Sequence, residues 1–190
     1  MRAAFLLLVL LLAPVLAAAE PRPAPGPQQG SRAAELDSLF EALKAAPDEA
    51  AAAMVEARIR VLWIEQASPA AVLLLRRGVR NLPHTPNEAL EDFDAAIILS
   101  PEAAEAWHQR AQAYAALGDT DAAARDLQEA LRLEPRHFGA LLMLSMLQER
   151  RGDAQGALRS MEAALALSPR MPGGERRLRE LRRKAEGDAT

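Results

Sequence analysis

The chain has no cysteine among its 190 residues. That excludes disulfides, a thiolate nucleophile and any cysteine-ligated metal, and it leaves the redox compartment open. Aromatic residues are scarce, at 4% of the chain. Strands favour β-branched and aromatic side chains, whereas alanine and leucine supply most of the apolar half here. That composition suits helix packed on helix. A surplus of either charge is also lacking. The 23 basic and 26 acidic residues give a formal net charge of −3. A general nucleic-acid binder needs a basic surplus, so nucleic acid is not an expected partner.

Long apolar runs are missing too, with one exception at the start. MRAAFLLLVLLLAPVLAAAE carries Arg2, an apolar run from Ala3 to Leu12, the helix breaker Pro14, and Ala17-Ala18-Ala19. Small residues before Glu20 suit signal peptidase. The run before Pro14 is shorter than the roughly 20 residues a membrane-spanning helix needs. Residues 1–19 are therefore expected to be a signal peptide cleaved after Ala19, which makes the protein exported and periplasmic. With no cysteine at the cleavage site, a lipid anchor is excluded. PRPAPGPQQGSR follows, with four prolines and two glycines. Residues 20–32 are expected to form a semi-extended linker, with no helix.

What the sequence does contain is a period. Leu99, Leu133 and Leu167 stand 34 residues apart, as do Pro101, Pro135 and Pro169. So do Ala89, Ala123 and Ala157, and again Ala96, Ala130 and Ala164. Phe93, Leu127 and Met161 keep one large apolar slot at the same interval. Gly118 and Gly152 mark turns, each followed by aspartate. Ala123, Leu127, Ala130 and Leu131 make a helical stripe. Each helix is expected to stop before its proline, which disfavours helix in the residue ahead of it. The proline is then expected to open the next helix, with Ser100 and Ser168 as N-caps.

A helical hairpin repeating every 34 residues resembles the tetratricopeptide repeat (TPR), with its W-x2-L-G-x2-Y, A-x3-F, A and P pattern. Residues 104–137 match it at Trp107, Tyr114, Ala123, Ala130 and Pro135. They depart at Ala111, Leu127 and Arg110. Ala111 stays small and Leu127 stays large and apolar, but Arg110 stands where leucine is usual. Residues 138–171 form a further copy, with Leu141, Ser145 and Gln148 in the slots of Trp107, Ala111 and Tyr114. Residues 70–103 form the first copy, with Leu74, Gly78 and Asn81 in those slots, displaced by 33 residues instead of 34. There LPHTPNEAL replaces the glycine turn, with Thr85 as N-cap, Pro86 at the first helical position and Glu88 closing a capping box.

The resemblance implies an all-α, right-handed superhelix of stacked hairpins over residues 33–187. Residues 33–66 read as two helices broken at Pro47. The first carries Leu36, Leu39, Phe40 and Leu43, and the second carries Met54, Val55, Ile59, Leu62 and Trp63. They are expected to cover the front of the stack. Residues 174–186 read as a capping helix with Leu178 and Leu181 on one face. Its other residues are largely basic. Those arginines suit either an anionic surface such as lipid headgroups, or a soluble cap lying over the stack on aliphatic stems. The cap is the reading preferred, because array ends must be polar.

The three histidines, His84, His108 and His137, show no i, i+4 pairing with one another and no glutamate in metal-site register. They are expected to be ordinary surface histidines. Glu91 and Asp92 are expected on a solvated helix face. No catalytic residue, metal or cofactor is assigned, and no enzyme is expected. Binding is what the architecture offers. On the helix from Pro101 to Leu117, Trp107, Ala111 and Tyr114 are packing residues. Glu105, His108, Gln109 and Gln112 fall on the opposite side. One repeat later that side holds Gly139, Leu142, Met143 and Met146, and one repeat earlier Val72, Leu75, Arg76 and Val79.

The resemblance makes this side the concave groove. In cochaperone TPR domains its slots carry lysine and asparagine that clamp a C-terminal carboxylate. Here they hold His108 and Gln112, then Leu142 and Met146, so no such clamp is expected. A methionine-rich groove suits an amphipathic helix or an apolar segment of another protein. The competing readings are that the N-terminal hairpin or a second copy covers these side chains. The expected function is a non-enzymatic adaptor in the bacterial cell envelope. The alternatives are a self-assembling structural protein and a regulatory subunit of a periplasmic enzyme, for instance one acting on the cell wall.

Overall fold

A computed structural model describes residues 27–187 of the chain. The expected signal peptide, and the linker as far as residue 26, lie outside the described residues. The described residues form α1 (Pro27–Lys44), α2 (Glu49–Glu65), α3 (Pro69–Asn81), α4 (Pro86–Leu99), α5 (Ala104–Ala116), α6 (Thr120–Leu133), α7 (Phe138–Arg150), α8 (Ala154–Leu167) and α9 (Gly174–Gly187). No strand occurs among them. Helices α3/α4, α5/α6 and α7/α8 pair as the three hairpins the period calls for.

The turns follow their residues. Gly118 and Gly152 sit at φ of 86° and 79°, where a side chain is disfavoured. The aspartate after each glycine caps the next helix: Asp119 accepts from the Ala122 N–H at 2.9 Å and Asp153 from the Gly156 N–H at 2.7 Å. The turn that lacks this glycine behaves differently from the expected capping box. Thr85 does precede α4, with Pro86 in its first turn, but its side chain makes no cap bond. Its hydroxyl instead faces Asn81 O at 3.4 Å and Glu88 Oε2 at 3.2 Å.

Three helix starts differ from expectation. Pro101, Pro135 and Pro169 do not open helices; α5 and α7 begin three residues after the first two, at Ala104 and Phe138, and α9 five residues after the third, at Gly174. Ser100 and Ser168 therefore close α4 and α8, and their hydroxyls are spent elsewhere. Helix α1 begins at Pro27, inside the expected linker. Proline's fixed φ and missing N–H suit a first helical turn, and α1 has a partner to pack on in α2.

The main departure is the place of the N-terminal hairpin. It does not cover the front of the stack. It lies lengthwise across all three repeats. At one end Ser68, just after α2, donates its N–H to Ser100 Oγ at 2.9 Å. Midway Trp63 meets His137 and Phe138. Further along, the Ser168 hydroxyl donates to Glu56 Oε1 at 2.9 Å. At the far end Glu49 accepts from the Gly173 N–H at 3.3 Å. Ser100 and His137 lie at the two junctions between repeats and Ser168 at the junction of the third repeat with α9, so α2 tracks the whole array in reverse. About 21 Å of helix separates Glu49 from Trp63.

This strap is held by a shared core. Leu36, Phe40, Leu43, Ile59, Leu62 and Trp63 are buried with Phe138, Met161 and Leu181 of the third repeat and α9. Full burial of each large side chain is worth about 1.5–3 kcal/mol. Met54 is not part of that core; it is 76% exposed, because its side of α2 faces away from both α1 and the array. Helix α9 closes the other end. Leu181 is fully buried, and Arg177 and Lys184 both pair with Glu149 of α7. No helix of the described residues is long and apolar enough to cross a membrane.

Candidate functional site

The strap divides the expected groove into a filled half and an open half. In the filled half, Trp63 stacks on His137 with ring centroids 4.1 Å apart and planes 15° from parallel. Beneath them Glu105, His108 and His137 come together, all buried. His137 Nε2 lies 2.9 Å from Glu105 Oε2, and His137 Nδ1 accepts from the Ala140 N–H at 3.1 Å. A nitrogen that accepts carries no proton, so His137 is the neutral tautomer that donates from Nε2 to the carboxylate. Gln109 donates to Glu105 Oε1 at 2.5 Å. His108 Nδ1 stands 3.6 Å from the same oxygen, beyond hydrogen-bond reach, and it is buried without a partner.

Electrostatics follow from this geometry. Burial by itself pushes the Glu105 carboxyl up, but His108 and His137 beside it outweigh that and hold it well below the usual carboxylate range. Burial pushes His137 down, helped by His108 and opposed by Glu105. The ligand atoms of Glu105, His108 and His137 lie within 4.8 Å of one another, close enough to suggest a metal site. The tautomer argues against it. A cation on His137 Nε2 would drive the proton to Nδ1, against the Ala140 N–H that Nδ1 now accepts. The cluster is a hydrogen-bonded junction between the second and third repeats.

The histidine expectation is corrected here: His108 and His137 are buried, and His84 alone is exposed. Sequence spacing could not show this, since His137 reaches Glu105 across 32 residues. Asp92 is likewise not solvated. It is buried and takes a two-armed ion pair from Arg77. Glu105 was expected on an open groove but is buried against His137, on which Trp63 stacks; His108 is buried too, yet it still borders the opening.

The open half is a depression of about 620 Å3. His108, Gln112, Leu142, Met143 and Met146 line it, as the helix-face argument expects. Met146 is 43% exposed, while Leu142 and Met143 are half-buried. The structure adds Arg60 from the strap, Leu82 and Pro83 from the end of the first hairpin, Ala116 and Gly139. Arg60 was missed because α2 was expected elsewhere. Val72, Arg76 and Val79 do not join the depression. They stay on α3, with Arg76 3.9 Å from Glu65.

The structure also accounts for Arg110. Its guanidinium donates to both carboxylate oxygens of Asp126, at 2.7 and 2.8 Å, and to Asp94 of the preceding hairpin at 2.8 Å. It lies 4.8 Å from the Trp107 ring centre. Leucine in this slot could tie neither hairpin to the other. In the third repeat Leu144 stands in the Arg110 slot and Ser160 in the Asp126 slot, so both charges are lost together.

Comparison with known proteins agrees with this architecture. Residues 108–172 match the model of a tetratricopeptide repeat family. A TPR repeat-containing protein of Rhizobium etli is 36% identical over 107 residues, covering 56% of this chain and 52% of that protein. The chain thus spans about half the length of that relative. The TPR domain of Sgt2 from Aspergillus fumigatus superposes with a TM-score of 0.60 at 22% identity, over 65% of this chain and 83% of that one. The first TPR of Spaghetti (RPAP3), solved with an HSP90 peptide, gives 0.59 at 20% identity, over 65% and 96%. The TPR2B domain of yeast Sti1, solved in complex with an Hsp70 peptide, gives 0.56 at 22%, over 64% and 99%. At these identities the likeness is one of fold.

Proposed function

This chain is a tetratricopeptide-repeat protein, a scaffold for protein–protein interaction, and from that premise we propose that it holds an apolar segment of a partner in the open half of its groove. The observation that carries the reading is the depression lined by Leu142, Met143 and Met146, bounded by the chain's own helix α2. Methionine adapts its shape to varied apolar partners. The filled half accepts nothing while α2 is there, so the partner segment is short. It is a single amphipathic helix or an extended stretch of a few residues. Arg60 at the rim pairs with Glu56 at 3.0 Å and, half exposed, has donors left for an acidic group at one end of that segment.

We assign the protein to the bacterial envelope, exported through residues 1–19 and carrying no reaction of its own. The apolar run ahead of Pro14 and the alanines before Glu20 support export. Solved relatives in complex with chaperone peptides support the use of this fold to hold peptides. The slots that would clamp a carboxylate hold His108, Gln112, Leu142 and Met146, so an apolar surface is the chemistry this chain offers.

A photo-crosslinking side chain at Met146 tests the reading in the native cell, with the same label at Met54 as reference. Both side chains are exposed, but Met54 lies on the outer face of α2. A discrete adduct from position 146, absent from 54 and lost when Met143→Glu is added, supports the groove. Equal adducts from both positions overturn it. The mass of the recovered protein tests export separately. A chain starting at Glu20 in the envelope fraction supports it, and an intact chain in the cytosol overturns it.

A further inference from the structure

Since the strap lies along the array, nothing among the described residues caps the first hairpin, and α3 keeps one bare face. Ala70, Leu73, Arg77 and Arg80 form that face, at i, i+3, i+7 and i+10. The chain itself shows what such a face is for. Shifted by one repeat, these residues become Ala103, Ala106, Arg110 and Ala113, which are where α5 stacks on α4. Leu73 is 70% exposed, whereas Ala106 and its next counterpart Ala140 are fully buried. The Arg77 side chain is 59% exposed, against 18% for Arg110.

The two arginines differ in one further respect. Arg110 pairs with Asp126 of its own hairpin and with Asp94 of the hairpin before it. Arg77 pairs with Asp92, the counterpart of Asp126, through Nε and Nη2. The acid that would correspond to Asp94 is missing, and Arg77 Nη1 meets no acceptor among the described residues. Arg80 also has no ion pair there.

We propose that α3 is a docking face for an acidic amphipathic helix of a partner protein. The helix lies on it as α4 lies on α5. The template is α4 itself, with Leu90, Asp94 and Ile97 along one side. Its carboxylate takes the free arm of Arg77, and its apolar residues cover Leu73 and Ala70. A second copy of this chain is a poor fit. The α4 face of another copy is already covered by its own α5. The far end of the array presents Arg176, Arg179 and Arg183, exposed and of the same sign as Arg77 and Arg80, with Glu175 beside Arg179 as a partial offset. The surplus of like charge across such an interface disfavours head-to-tail stacking.

The probe is a synthetic α4 peptide, residues 86–99, stapled between positions 92 and 96 to hold it helical. Those positions lie opposite Asp94, on the side that packs against α3 in the intact hairpin, so the staple leaves the docking side free. It is titrated into the isotopically labelled protein. Shifts are expected at the amides of Ala70, Leu73, Arg77 and Arg80. Leu73→Glu or Arg80→Glu in the protein, or Asp94→Asn in the peptide, is expected to weaken binding about tenfold or more. Met146→Glu is expected to leave it unchanged, which separates this face from the groove. No saturable binding, equal binding by the variants, or shifts gathered at Met143 and Met146 overturns the proposal. A doubled mass without peptide, abolished by Leu73→Glu, also overturns it, because the occupant is then a second copy.

Discussion

The indole of Trp63 lies on the imidazole of His137, 4.1 Å centre to centre, and through this contact the N-terminal hairpin is fastened to the junction of the second and third repeats. Trp63 belongs to α2 and His137 to the turn before α7. The contact therefore sets how much of the groove remains open. Helix α2 lies over the junction where His137 meets Glu105, and a partner can reach only what lies beyond it, from His108 and Gln112 to Met146.

Trp63→Ala is expected to loosen the strap without unfolding the repeats. Truncating a buried tryptophan costs about 3–5 kcal/mol. Hydrogen exchange should then speed up throughout α1 and α2, while amides of α5 to α8 stay protected. Uniformly faster exchange in every helix would show that strap and repeats fold as one unit.

Acid should weaken the same junction. The folded-state value of His137 lies below its ordinary one, mainly through burial. Between that value and about 6.5 the unfolded chain binds the extra proton, so stability is full above about 6.5 and declines as pH falls. Glu105, also held low, adds its own loss further into acid, below about 4.3. His108 and Glu134 are the other charged or titratable neighbours. Urea titrations from pH 7.5 to 5 should show a slope of up to about 1.4 kcal/mol per pH unit from His137. His137→Asn, which keeps a capping side chain, should flatten it. An equal slope in the variant would place the titration elsewhere.

How much of this was legible beforehand differs by element. The hairpins follow from local rules, namely the stripe around Leu127, the left-handed Gly118 and Gly152, and Asp119 and Asp153 as caps. Each acts within a few residues, and sequence displays such relations directly. The strap depends on contacts between distant positions, such as Glu56 with Ser168, 112 residues apart. No spacing reports those. The groove was accordingly half legible. His108, Gln112, Leu142, Met143 and Met146 share a helix face that periodicity predicts. That Trp63 would stack on the His137 that meets Glu105, and that Arg60 would border the opening, depended on where α2 came to rest.

Arg110 offers a sharper test of the repeat interface. Arg110→Leu restores the residue usual at this slot, yet it should destabilise this protein. Asp126 is buried and would lose its partner, which costs about 3–5 kcal/mol. Adding Asp126→Ser copies the Leu144 and Ser160 pairing of the third repeat and should recover most of the loss. A double-mutant cycle by urea denaturation measures the coupling. Additive effects would mean that the two side chains act independently.

The three hairpins also trade volume between two slots. Gly78 faces Phe93, Ala111 takes the place of Gly78 where Leu127 replaces Phe93, and Ser145 does so where Met161 follows. A Cβ added at Gly78 would collide with the Phe93 ring. Phe93 is fully buried and cannot withdraw. Alanine normally gains about 1 kcal/mol over glycine inside a helix. Here overpacking, at about 1–3 kcal/mol, should outweigh that gain, so Gly78→Ala should lower the melting temperature. Combined with Phe93→Leu, the second repeat's pair is installed in the first. Alanine's helical preference should then reappear, leaving the double variant more stable than Phe93→Leu alone. If Gly78→Ala is stabilising by itself, the ring has room to move and the complementarity between the slots is looser than the packing implies.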